Sequence, residues 1–170
     1  MTAYVDKPGE TGGGMAADAV GSADGCGRDA VTREVCRGTG RLLRAMNFSV
    51  VNELVLANGR RADIAAISAA GDIWIVEVKS CFDDLRVDAK WPEYREFCDA
   101  LFFAVNPGFP VDVLPADTGL ILADRYGGEI VRQAPEHRLV AARRKAVTLR
   151  YARAAAFTLQ AFTDPSLENS

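Results

Sequence analysis

Apolar and polar positions change period along this chain, and the changes mark its elements. Val31, Val35, Leu42 and Met46 recur at helical spacing, which predicts a first helix. Asp29 or Thr32 is a suitable cap for its start, and Asn47 can end it. Gly38 and Gly40 weaken such a helix by roughly 1 kcal/mol each relative to alanine, and they suit a close approach to a sheet. Three strands then follow at about 48–57, 61–68 and 72–80. Ala57-Asn58-Gly59-Arg60 carries the Asn-Gly hairpin signal between the first two.

Further on, Pro92 suits the first position of a helix that runs to about Asp99. Ala100–Val105 is uninterrupted apolar sequence, as in a central strand covered on both faces. The passage from Val76 to Val105 therefore predicts a parallel crossover. Gly119–Ala123 predicts another strand, and Glu129–Arg132 a short one after the Tyr126-Gly127-Gly128 turn. A long helix from about Ala141 to Phe162 closes the pattern. Arg143, Arg144, Lys145, Arg150 and Arg153 are expected toward solvent or ligand, and Val147, Ala154, Phe157 and Leu159 are available for packing.

Charges break this pattern at one place. Asp63 lies within Ala62-Asp63-Ile64-Ala65-Ala66-Ile67, and Glu77 and Lys79 close the run Ile73-Trp74-Ile75-Val76-Glu77-Val78-Lys79. Charged groups inside buried strands are costly unless they are paired or bind a metal. Ser68-Ala69-Ala70-Gly71-Asp72 fits a three-residue turn with Gly71 left-handed, so Ser68 pairs with Asp72. That register places Asp63 opposite Glu77, with Lys79 on the same face, whereas a one-residue slip would separate them. Two hard-oxygen acids and an ammonium suit a divalent cation, Mg²⁺ or Mn²⁺, acting on a phosphodiester. The carbonyl of Val78 is a third candidate ligand. An isolated Glu-x-Lys on a strand is more often an edge salt bridge to Lys79 or Arg61. It is the Asp63 register that raises the metal reading to parity.

Glu53 shares the Asp63 face only if the Asn58-Gly59 turn has three residues; with two it points away. Glu34 on the first helix is a further candidate ligand. Tyr94, at helical spacing with Cys98, reads equally as core. Trp91 is read as a packing residue, and His137 as structural or a surface residue beside the last helix.

Composition narrows the chemistry. His137 is the one histidine, and Cys26, Cys36, Cys81 and Cys98 lack CxxC spacing, which disfavours zinc and any histidine-dependent triad. The thiols are expected to be reduced, with Cys98 packed in a helix face. Residues 1–28 hold seven of the fifteen glycines without apolar periodicity and are expected to be a disordered leader rather than a signal peptide. The domain is placed at 29–163, with a frayed tail at 164–170. No apolar run is long enough to span a bilayer, so a cytoplasmic protein without membrane contact is expected. The net charge of −3 gives no global case for nucleic acid, but the run from Arg132 to Arg153 holds six arginines and one lysine against Glu136 alone.

The order helix–strand–strand–strand–helix–strand, with an acid on the second strand and Glu-x-Lys on the third, resembles the PD-(D/E)XK nuclease superfamily. Five longer stretches resemble the MmcB family of DNA-repair proteins. They are Gly59-Arg60-Arg61-Ala62-Asp63, Ile75-Val76-Glu77-Val78-Lys79-Ser80, Lys90-Trp91-Pro92-Glu93-Tyr94, Cys98-Asp99 and Ala134-Pro135-Glu136-His137-Arg138-Leu139. The resemblance spans about 30–160. It implies an α/β restriction-endonuclease-like core with a mixed central sheet flanked by helices. It also implies a metal-dependent DNA endonuclease of repair with Asp63, Glu77 and Lys79 catalytic. Ala62 stands where the proline of the motif's name would be, as in many superfamily members. Arg60, Arg61, Lys90, Tyr94, Arg143 and Arg144 are the candidate DNA contacts. A homodimer and repair-protein partners are compatible with the resemblance. A DNA-binding or scaffold module that keeps the fold without cutting is the second reading, and a purely structural protein the third.

Overall fold

The computed structural model describes residues 23–82 and 90–164, with side chains from Asp29 onward, and builds them into a sheet covered by helices on both faces. Its elements are α1 (Ala23–Ala45), β1 (Phe48–Val55), β2 (Arg61–Ser68), β3 (Ile73–Lys79), a 3₁₀ helix (Trp91–Phe97), β4 (Ala100–Val105), a 3₁₀ turn (Val111–Val113), β5 (Gly119–Ala123), β6 (Gly128–Arg132) and α2 (Ala141–Thr163). The strands lie in sequence order across one six-stranded sheet. β1–β2, β2–β3 and β5–β6 are antiparallel, whereas β3–β4 and β4–β5 are parallel. The sheet is therefore mixed, with the expected parallel crossover between β3 and β4.

Local chemistry explains the two hairpins. Gly71 takes φ +88°, the Ser68 N–H donates to the Asp72 carbonyl at 3.0 Å, and Ser68 Oγ accepts from the N–H groups of Ala70 and Asp72. The turn thus has the three residues expected of it. The β1–β2 turn has three as well: the Leu56 N–H donates to the Arg60 carbonyl at 2.7 Å, and Gly59 takes φ +80°. At the end of α1, Asn47 reverses the chain at φ +64°.

One face of the sheet packs Ile64, Ala66, Val76, Val78, Phe102, Ala104 and Ile121 against Val35 and Leu43 of α1. The other packs Ala65, Ile73, Ile75 and Leu101 against Tyr94, Phe97 and Cys98, and against Val147 and Tyr151 of α2. Phe103, Val105 and Leu120 are covered instead by Phe109 and Leu114. β4 is buried along its whole length, as its apolar run predicts.

Several expectations need correction. α1 begins at Ala23, so 23–28 is helical rather than part of a leader, because extending a packed helix costs little once it is nucleated. Residues 1–22 and the tail beyond Asp164 lie outside the described residues. Leu43 fills the core while Met46 is exposed. The segment before β4 is 3₁₀ and ends at Phe97, with Cys98 in extended conformation and buried rather than on a helix face. Phe157 and Leu159 are exposed at 60% and 64%, because α2 outruns the sheet it packs on. Gly38 does serve close approach, since an added Cβ would collide with the carbonyls of Asp124 and Gly127. Gly40 does not: nothing lies within 4 Å of where its Cβ would be.

The candidate active site at the fork of β2 and β3

The β2–β3 ladder runs from Ile67↔Ile73 to Ile64↔Val76, which sets Asp63 opposite Glu77 at the next step. There the strands exchange side-chain bonds. The Val78 N–H donates to Asp63 Oδ2 at 2.8 Å, and the Asp63 N–H donates to Glu77 Oε1 at 3.4 Å. Each carboxylate is thereby oriented by the neighbouring strand's backbone. Lys79 Nζ lies 3.8 Å from Glu77 Oε2, with both side chains less than one-tenth exposed. Burial pushes the Asp63 carboxyl above its ordinary range, against the lowering effects of the Val78 N–H, Lys79 and Arg61. Nearby Glu53 pushes it further up.

Two openings meet at Asp63. A cavity of about 500 Å³ is lined by Asp63, Glu77, Lys79, Arg61, Lys90 and Tyr94. A cleft of about 710 Å³ on the α1 side is bordered by Asp63, Glu53, Asn52 and Cys36. Thr32 lines both.

The remaining candidates divide. Glu53 does face Asp63, because the three-residue turn puts it between the pairs Asn52↔Ile64 and Leu54↔Ala62, and it adopts φ +56° there. Its carboxylate is exposed and lies 3.6 Å from Arg61. Glu34 is turned away from Asp63 and pairs with Arg125 at 3.7 Å. Arg60 is at the site's rim, held by Glu93 through bonds of 2.9 and 3.0 Å, and Glu93 also accepts from Asn58. The Tyr94 hydroxyl donates to the Arg61 carbonyl at 3.0 Å, so this buried ring borders the cavity while fixing the β2 entrance. Lys90 is exposed beside it.

Arg143 and Arg144 lie apart from the fork. Arg144 makes a two-pronged pair with Asp99 at 2.6 and 2.8 Å and also donates to the Gly71 carbonyl. Arg143 pairs with Glu96 and covers the Phe97 ring. Asp99 also accepts from the N–H groups of Ile73 and Leu139. These contacts are at the start of β3, the end remote from Glu77 and Lys79. The motifs around Asp99 and His137 are therefore joined structurally: His137 N–H donates to the Asp99 carbonyl, and His137 Nε2 lies 3.0 Å from the Arg95 carbonyl. Trp91 packs edge-on against Phe103, as a packing residue should. Cys36, Cys81 and Cys98 are free thiols, and the Cys26 side chain lies outside the described residues.

The basic side of α1 is absent from the sequence-based candidates. Arg33, Arg37, Arg41 and Arg44 recur at intervals of four, four and three, a helical spacing that would have marked them as one face.

The donors at the fork are two carboxylates with backbone oxygen nearby, a hard-oxygen set that fits Mg²⁺ or Mn²⁺. Among the described residues no three His, Cys, Asp or Glu side chains gather into one metal-binding group. Also among the described residues, no helix is long and apolar enough to cross a membrane.

Comparison with known proteins agrees with the motifs. No curated protein matches the chain. A solved structure, of a protein of unknown function from Silicibacter pomeroyi, is similar to it with a TM-score of 0.78 and 46% sequence identity, covering 80% of this chain and 93% of that one. Residues 21–166 match the family described as DNA repair protein MmcB-like. The chain belongs to the MmcB-like family of DNA repair proteins.

Proposed function

We propose that the protein is a DNA-repair endonuclease of PD-(D/E)XK type that hydrolyses phosphodiesters with Mg²⁺ or Mn²⁺. The observation that carries this reading is the fork itself, where Asp63 and Glu77 face each other in register with Lys79 3.8 Å from Glu77. Asp63 and Glu77 would hold the cation, with the Val78 carbonyl as a further donor. The cation would supply a nucleophile at neutral pH and neutralise charge on the phosphate. Lys79 orients the attacking water and offsets charge on the phosphoryl oxygens. Water attacks phosphorus, the bond to the leaving sugar oxygen breaks, and that oxygen takes up a proton. Arg61, Lys90 and the rim residue Arg60 would contact the DNA. Purified protein given structured DNA and Mg²⁺ should produce cleavage products that Asp63→Ala and Lys79→Ala abolish. Equal cutting by both variants and the wild type would sink the assignment.

A second reading keeps DNA binding without cutting. It is favoured by Glu53, the third acid near the fork, being exposed and beside Arg61 rather than gathered with the other two. Salt-sensitive DNA binding that EDTA leaves unchanged, without turnover, would select it.

A further inference from the structure

We propose that α1 is the rail on which the DNA backbone approaches the fork, with Arg33, Arg37 and Arg44 holding spaced phosphates of the strand as it passes over Gly40 and Cys36. The proposal deepens the DNA reading above and rests on it.

The α1-side cleft begins at Asp63 and Thr32 and follows the helix past Cys36 and Gly40 to Arg44. From Gly40 and Arg44 it continues into a second opening of about 690 Å³ bordered by Asn47, Ser49 and Ser68. Its arginines are exposed. Among the described residues Arg33, Arg37 and Arg44 have no acidic partner, whereas Arg41 is tied to the carbonyls of Arg125 and Tyr126. Like charges one turn apart weaken a helix. No described acid pairs with these three arginines, and a polyanion would offset them.

Gly40 is the second, independent observation. A glycine inside a helix costs stability, which Gly38 repays by seating on the Asp124–Gly127 turn. Gly40 has no such contact, since its missing Cβ would meet nothing within 4 Å. What the glycine does provide is a bare floor between Arg37 and Arg44. Dimensions agree as well. From Arg33 to Arg44 the helix rises about 16 Å at roughly 1.5 Å per residue. That matches four or five phosphates at about 3.4 Å of axis per nucleotide.

The test is fluorescence anisotropy with a labelled DNA duplex and the corresponding single strand, across a salt series, using full-length protein. R37A/R44A should weaken binding, and the slope of log K against log salt should fall by about 1.8 for duplex or about 1.4 for single strand. R37K/R44K should keep the slope. Gly40→Phe should melt no lower than wild type yet lose at least tenfold in DNA affinity. Unchanged affinity and slope in R37A/R44A, with wild-type binding and cleavage intact, overturns the rail and leaves the nuclease reading standing. Wild-type protein that binds neither DNA overturns both.

Discussion

Asp99 ties four parts of the fold together, and its removal has a calculable consequence. Its carboxylate accepts from Ile73 N–H at 2.7 Å, from Leu139 N–H at 2.9 Å and from two nitrogens of Arg144. Burial acts to raise its pKa. The Arg144 guanidinium and the two N–H groups outweigh that and hold the carboxyl below its ordinary range. Asp99→Ala leaves the buried Ile73 N–H without its acceptor and the Leu139 N–H likewise, at about 1–3 kcal/mol each. Arg144 is 30% exposed and can turn to water, so the lost ion pair adds less than a fully buried one would. The expected cost is about 3–5 kcal/mol, or roughly 10–15 °C in melting temperature for a domain of this size. Asp99→Asn should cost less, since its amide oxygen still accepts while its amide nitrogen faces donors. Because the folded pKa is depressed, the stabilisation is present above the unfolded carboxylate pKa and is lost as pH falls through the folded one. The gap between wild type and Asp99→Ala, followed by circular dichroism, should therefore shrink below about pH 4. A cost under about 1 kcal/mol, or a gap that widens in acid, would refute the reasoning.

Three further expectations follow from the geometry. Gly38→Ala should destabilise by about 1–3 kcal/mol, because its Cβ meets backbone carbonyls that cannot move aside, whereas Gly40→Ala should stabilise by up to about 1 kcal/mol; chemical denaturation of the pair checks both signs. Asp63→Asn should melt at or above the wild type at neutral pH: burial raises the folded pKa, so the wild type loses stability as pH rises from the unfolded toward the folded value, and a neutral amide does not. A lower melting point at neutral pH, with recovery in acid absent, would contradict it. The Cys36 thiol, pushed up to about 11 by burial and then by Asp63 and Glu53, should alkylate slowly at pH 8 and faster in Asp63→Asn, as mass spectrometry of iodoacetamide time courses would show.

The fork was readable from the sequence because one glycine determines it. Gly71 sets the turn length, the turn length sets the register, and the register decides which face Asp63 shares. Glu53 was ambiguous for the same reason in reverse, since Asn58-Gly59 fits turns of two or three residues and only the folded hairpin chooses. The places of Arg143 and Arg144 were not legible because an arginine's partner can lie far along the chain: Asp99 is 45 residues from Arg144. Composition marks a basic run but not which of its charges are already spent. Gly38 and Gly40 look alike in sequence, and what separates them is a turn more than eighty residues away.

The exchange of bonds at the fork also bears on how the proposed site could be lost. Asp63 and Glu77 each accept a backbone N–H, a task that an amide oxygen also performs, but Glu77 faces the buried Lys79 ammonium at 3.8 Å. An Asp63→Asn variant would pass cellular quality control unnoticed, with the hairpin intact and one desolvated charge fewer. Folding alone therefore exerts little pull to keep an acid at Asp63, whereas Glu77 also offsets the buried charge of Lys79. An acid at Asp63, carried at a cost to stability, is what the proposed work on a substrate would require of this hairpin.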